Sequence, residues 1–248
     1  MHAFYFGTSD HQLFGIYQEP ARGQGRTGVV LCYPWGQEYL RAHRAFQFLG
    51  GLVAGVGLHV LRFDYFGTGD SAGDLGEADP PAWKEDIITA VEELTDMGDL
   101  HRVALCGLRM GAYWAAEAAS GLGEVDRLVL WDPVVDGAAY VREVMARAAR
   151  QDGRTEADGF VVTGNVRDAL SACSQEAFPD VRVPALVVQT REQAAVNELV
   201  TRLEGTSPSI ASRTSPGPVA WEEEVGDFGT SGMPVPTLQG IAEWLRGS

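Results

Sequence analysis

Two short, largely apolar segments near the start of the chain, 3–6 and 13–17, flanked by polar residues, read as two amphipathic strands paired as an antiparallel hairpin at a sheet edge. The period then changes. GVVLCY (28–33) is continuously apolar, as a strand covered on both faces must be. RAHRAFQFLGGLVAG (41–55) follows with helical spacing, and HVLRFDY (59–65) reads as the next strand. PAWKEDIITAVEELTDM (81–97) is a helix, with Pro80 and Pro81 at its start and acids in its early turns. RVALCG (102–107), MGAYWAAEAAS (110–120) and RLVLWDP (127–133) continue as strand, helix and strand. Later come PALVVQT (184–190), a helix from about Gln193, a last strand candidate in VAWEEEV (219–225) and a closing helix in TLQGIAEWLRG (237–247). GTSPSIASRTSPGPVA (205–220) is rich in Ser, Pro and Gly and reads as a surface loop. Strand–helix alternation of this kind predicts an α/β chain, with a mostly parallel central sheet and helices on both faces.

The alternation breaks between Pro133 and Pro184. AAYVREVMARAARQ (138–151) is helical in pattern, GFVVTG (159–164) suits a short hairpin, and NVRDALSACSQ (165–175) is again helical. This predicts a core of residues 1–132 and 185–248, with 133–184 inserted as a helical cap. A cap placed there lies over the carboxyl ends of the strands, where open α/β sheets bind ligands.

Three stretches carry a resemblance. LCYPWGQ (31–37) sits where a His-Gly oxyanion loop is expected, and DYFGTGDSAGD (64–74) follows a D-x-x-G-x-G-x-S pattern. Gly107-Leu108-Arg109-Met110-Gly111 has the spacing of a G-x-S-x-G nucleophile elbow between strand and helix. Together they make the chain resemble the α/β-hydrolase superfamily over nearly its whole length. More narrowly it is similar to bacterial exosortase-associated hydrolases and short-chain thioesterase-like proteins, in which a G-L-R-[LM]-G elbow also occurs. The resemblance implies oxyanion-hole donors at the backbone N–H groups of Met110 and Trp35. Pro34 has no N–H, but the neighbouring donor is the one the family uses. It also implies an architectural role for Asp64, Gly67, Gly69 and Ser71.

The catalytic triad does not carry over. The elbow's central residue is Arg109, whose guanidinium stays protonated and cannot be the nucleophile. The histidines are His2, His11, His43, His59 and His101, and all precede the elbow, whereas the fold's order is Ser, acid, then His. Near the expected histidine position stand Asp227 and Phe228. Ser–His hydrolysis is excluded by residue count.

Charge and composition narrow the ligand. A net charge of −15 argues against nucleic acid and against anionic membrane surfaces. It also makes any cation in a pocket a candidate anion receiver. No apolar run is long enough to span a bilayer, and no secretion signal opens the chain. Cys32, Cys106 and Cys173 are widely spaced and form no metal pattern, so reduced thiols in a cytoplasm are expected, with no metal and no cofactor. The oligomeric state is left open, a homodimer included.

Arg109 has two readings: a structural ion pair with Asp132 or Glu192, or a planar clamp for a carboxylate or enolate. Asp132 either orients Arg109 or acts as a base, or it merely caps the chain reversal before Pro133. Cys32 is a candidate thiol nucleophile, against the commoner inert core cysteine. His43 is a candidate proton carrier, against a helix-surface residue contacting Asp64 or Asp70. Tyr33, Tyr140 and Phe160 are expected to line the pocket. The leading functional reading is a small-molecule enzyme acting on an anionic acyl or ester compound of polyketide-like biosynthesis, eliminating a carboxylate as a lyase does. The rivals are an inactive binding or scaffold pseudo-hydrolase, and an ester or thioester hydrolase using Cys32 or an activated water.

Overall fold

The computed structural model describes residues 1–21, 25–151, 153–222 and 233–247. The hairpin β1 (His2–Thr8) and β2 (His11–Gln18) forms one edge of an eight-stranded sheet. Next in chain order come β3 (Thr27–Cys32), α1 (Gln37–Gly55), β4 (His59–Phe63), α2 (Trp83–Gly98), β5 (Arg102–Leu108), α3 (Met110–Ala119) and β6 (Val125–Trp131). The inserted region holds α4 (Gly137–Ala146), β7 (Ala148–Gln151), β8 (Arg154–Ala157), β9 (Phe160–Val161) and α5 (Gly164–Ala172). The chain returns through β10 (Ala185–Gln189), α6 (Ala194–Leu203), β11 (Ile210–Thr214) and α7 (Val235–Arg246).

The sheet order is β1-β2-β4-β3-β5-β6-β10-β11, and every pairing from β4 to β11 is parallel. From β3 the chain steps one way through α1 to β4, then back across β3 through α2 to β5. Right-handed crossovers in opposite directions place α1 and α2 on opposite faces. α1 packs with α7, and α2 with α3. All of β4 and β10 is buried, and both are mostly apolar, with His59 and Arg62 in β4 and Gln189 at the end of β10 the enclosed polar exceptions. Trp83, Trp131, Tyr33, Phe46, Phe63 and Phe178 are the largest fully enclosed side chains.

Four expectations are corrected. The helical reading of 138–151 holds only to Ala146, because Ala148–Gln151 pairs with Arg154–Ala157. Gly153, at φ 79°, lies between those two strands, and pairing with Arg154–Ala157 outweighs the helical preference of Ala-Ala-Arg-Gln. GFVVTG is not a hairpin by itself. Phe160–Val161 is the third strand of the small sheet, reached through Asp158 and Gly159, both at positive φ. The stretch between β6 and β10 therefore combines two helices with a small three-stranded sheet. The Ser/Pro-rich stretch 205–220 contains β11, a polar edge strand beside β10 whose last three residues face solvent, so it lacks the apolar signature of its neighbours. Residues 219–222 of VAWEEEV form no strand, and 223–225 lie outside the described residues, as do Asp227 and Phe228.

Candidate functional site

The elbow keeps its geometry. Arg109 stands between the end of β5 and the start of α3, at φ 56° and ψ −120°. A side chain in that region carries backbone strain of roughly 1–3 kcal/mol. Its N–H donates to the Trp131 carbonyl at 3.0 Å, which ties the tip to β6. The flanking glycines are required by close approach. A Cβ on Gly107 would collide with the Gly111 carbonyl, and one on Gly111 with the carbonyls of Cys32 and Tyr33. The loop after β3 thus rests directly on the start of α3. Met110 opens that helix, where backbone N–H groups lack helical acceptors.

The Arg109 guanidinium is mostly enclosed, with its side chain and that of Glu38 each 15% exposed. Its Nε donates to Glu38 Oε1 at 3.1 Å, and its Nη1 to the Asp132 carbonyl at 3.4 Å. Its faces meet Tyr140, 5.7 Å from the ring centroid, and Trp221, at 5.2 Å. The Tyr140 hydroxyl donates to Glu38 Oε2 at 3.1 Å, so both carboxylate oxygens are engaged. Burial pushes the Glu38 carboxyl above the ordinary carboxylate range, and it outweighs the opposing pull of Arg109 and Tyr140. At Arg109, burial works against the charge, but Glu38 overcomes it and the guanidinium stays charged. A pocket of about 330 Å³ opens here, lined by Trp35, Glu38, Arg109, Tyr140 and Trp221, with Glu143, Arg147 and Asp158 of the insertion among its other walls. Arg147 pairs with Asp158 at 2.7 Å.

Several expected residues fall elsewhere. Arg109 pairs with Glu38, not with the carboxylate of Asp132 or Glu192. Asp132 is 1% exposed, and its carboxylate accepts from the N–H and hydroxyl of Thr190 at 2.8 and 2.7 Å, joining the ends of β6 and β10. Burial raises it to about 6 despite those bonds. Glu192 accepts from Asn197 instead. Cys32 is fully buried, its thiol pushed well up by burial, and it does not line the pocket. Tyr33 is also enclosed; its hydroxyl accepts from Arg62 at 3.2 Å and its ring stacks on Phe46. His43 is an exposed residue of α1 stacked on Tyr33 and near enough to Asp64 for their charges to interact. It is not part of the pocket lining. Phe160 stands behind the wall, with its ring edge on Trp35. Asp64 accepts from the Tyr39 hydroxyl and the Asp70 N–H, and Ser71 bridges to β2 through the Phe14 N–H.

The residue missed by sequence reasoning is Glu38. It follows LCYPWGQ directly, and an acid in a helix's first turn is ordinarily explained by the helix dipole alone. The available signal was its position, one residue beyond an oxyanion loop and facing an elbow that carries a cation. Among the described residues no group of three His, Cys, Asp or Glu side chains is arranged to hold a metal.

No protein-family model matches the chain, and no curated protein sequence does. Solved structures do. Est1E from Butyrivibrio proteoclasticus, determined with ferulic acid bound, is 17% identical, covers 98% of this chain and 96% of its own, and superposes with a TM-score of 0.69. The Pyrococcus furiosus esterase Pf2001 is 16% identical over 99% of this chain and 89% of its own, with a TM-score of 0.69. Mouse α/β hydrolase domain-containing protein 10 is 14% identical over 99% and 98%, with a TM-score of 0.61. The chain has the α/β-hydrolase fold.

Proposed function

We propose that the chain is an enzyme of hydrolase-like fold with reassigned chemistry, acting on a small anionic acyl or ester compound in the pocket above Arg109. The observation that carries this is the Arg109–Glu38 pair at the elbow, opening into a pocket instead of being packed over. A substrate carboxylate competes with Glu38 for the guanidinium fork. Glu38, released from Arg109 and already raised by burial, becomes a base of useful strength. It takes a proton from the carbon next to the substrate's carbonyl. The C–H electron pair forms a C=C bond, and the C–O bond to the acyloxy group breaks. The acyloxy group departs as a carboxylate with the electron pair of the broken C–O bond, while Arg109 keeps hold of the substrate's own carboxylate. The N–H groups of Met110 and Trp35 stabilise the enolate oxygen on the way. Residues 133–184 act as the cap, and Tyr140 joins them to the site. Asp132, His43 and Cys32 have no place in this scheme, because none reaches the pocket with a free proton-carrying group. The narrower likeness to exosortase-associated and thioesterase-like proteins, and a polyketide-like substrate, belong to the same proposal and rest on the Gly107–Gly111 elbow.

The test is product analysis in H₂¹⁸O with β-acyloxy carboxylic acids. Elimination gives an unsaturated acid and a released carboxylate free of ¹⁸O. Incorporation of ¹⁸O into the released acid identifies hydrolysis and contradicts the proposal. Short p-nitrophenyl esters, which carry no acyloxy leaving group on the carbon beta to the carbonyl, are expected to turn over at background rate.

A second reading, a binding protein without catalysis, is favoured by one observation: Glu38 and the Asp132 carbonyl already accept from Arg109, and the Tyr140 ring covers one face, so the site is complete when empty. It predicts ligand binding without product in the same experiment.

A further inference from the structure

Arg62, in the middle of β4, is 4% exposed. Its Nη1 donates to the Tyr33 hydroxyl at 3.2 Å, and its Nη2 lies 4.0 Å from the thioether sulfur of Met1. Among the described residues no carboxylate pairs with it. A phenol and a thioether are neutral, and sulfur is a weak acceptor. Among the described residues, only these two neutral acceptors meet the guanidinium's donor fork. Removing a guanidinium from water without a counter-charge is costly, and buried cations are ordinarily paired.

The surroundings suit a small anion. Gly50 of α1 lies beside Arg62: a Cβ there would make ordinary contact with Gln18 Oε1 at 3.4 Å and with the Arg62 Cδ and Nε at 3.6 Å. Met1, 78% exposed, reaches Arg62 through its sulfur. Displacing that side chain forfeits little. Tyr33, the inner wall, immediately precedes the Pro34-Trp35 loop of the pocket.

We propose that Arg62 is the floor of a small oxyanion-binding site, separate from the Arg109 pocket, which takes a free phosphate or carboxylate in place of the Met1 side chain. The planar fork matches two oxygens of either group. The site does not depend on the reaction proposed above.

The experiment is a thermal-melting titration of the full chain with inorganic phosphate, and separately acetate, against sodium chloride at matched ionic strength. Preferential binding to the folded chain raises the melting temperature saturably. We expect that rise with phosphate and, more weakly, acetate, and not with chloride. Arg109→Ala retains it. Arg62→Met weakens the apparent phosphate affinity by about tenfold or more, the loss that follows removal of a charged hydrogen-bond donor. Should Arg62→Met fail to fold, Arg62→Lys keeps the charge and gives up the fork, and its phosphate affinity falls several-fold. An equal rise with chloride, an undiminished response in Arg62→Lys, or loss of the response in Arg109→Ala overturns the proposal.

Discussion

A charged pair at 15% exposure is held by Coulomb attraction that desolvation partly cancels, so its two members depend on each other more than the chain depends on the pair. Arg109→Ala leaves Glu38 enclosed with only Tyr140 as a donor, and Glu38→Leu leaves Arg109 with ring faces and one carbonyl. Each single change is expected to cost about 2–4 kcal/mol of stability, the range for breaking one side of an enclosed ion pair. The double variant Arg109→Met, Glu38→Leu should cost less than the sum of the two. Additive losses in denaturant melts would show that the pair carries no coupling. Arg109→Ser is not expected to restore ester hydrolysis, because every histidine precedes the elbow in sequence and His43 sits outside the pocket lining. At this scale the elbow and its missing serine were legible from spacing. Glu38 was not, because pairing over 71 positions is set by the fold and leaves no local pattern.

Among the elements, the insertion is where local pattern and final structure part. The thirds of it that form α4 and α5 were legible, and their starts are capped by Asp136 and Thr163 side chains. The small sheet was not, since Ala-Ala-Arg-Gln has no strand character until Arg154–Ala157 pairs with it. β11 escaped for a related reason: an edge strand with one neighbour needs no apolar face. The core strands were plain because burial on both faces forces apolar runs. Tyr140 is the element-scale contact that matters, joining α4 to the first turn of α1 through Glu38. Tyr140→Phe is expected to cost about 1 kcal/mol, the net value of such a bond. It should also speed hydrogen exchange in α4 while leaving β3, β5 and β6 unchanged. Unaltered α4 exchange would mean that the hydroxyl does not hold the insertion down.

Over the whole molecule, the enclosed acids and the net charge act in one direction. Asp132 is held at about 6 in the folded chain, above the roughly 3.9 of an unfolded aspartate. The folded state therefore binds that proton more tightly. The stability from this group is complete below about pH 4 and is lost as pH rises through about 6. Burial raises Glu38, Asp64 and Asp86 in the same direction. The net charge of −15 adds self-repulsion that grows as the carboxylates ionise. The melting temperature is expected to fall between about pH 5 and pH 7, and Asp132→Asn should flatten part of that slope. A melting temperature that climbs over the same interval would contradict this ledger of signs.

The central claim is that Arg109 faces a ligand and that Glu38 stands in for that ligand when the pocket is empty. Calorimetric titration of a β-acyloxy carboxylate into the wild type, Arg109→Ala and Glu38→Gln tests it most directly. The wild type binds. Arg109→Ala loses about 2–4 kcal/mol of affinity, the cost of truncating one side of a desolvated charge pair. Glu38→Gln binds more tightly than the wild type, because the internal competitor has lost its charge. If Arg109→Ala lowers the melting temperature and leaves affinity unchanged, and Glu38→Gln gains nothing, the arginine is only a strut held by its ion pair.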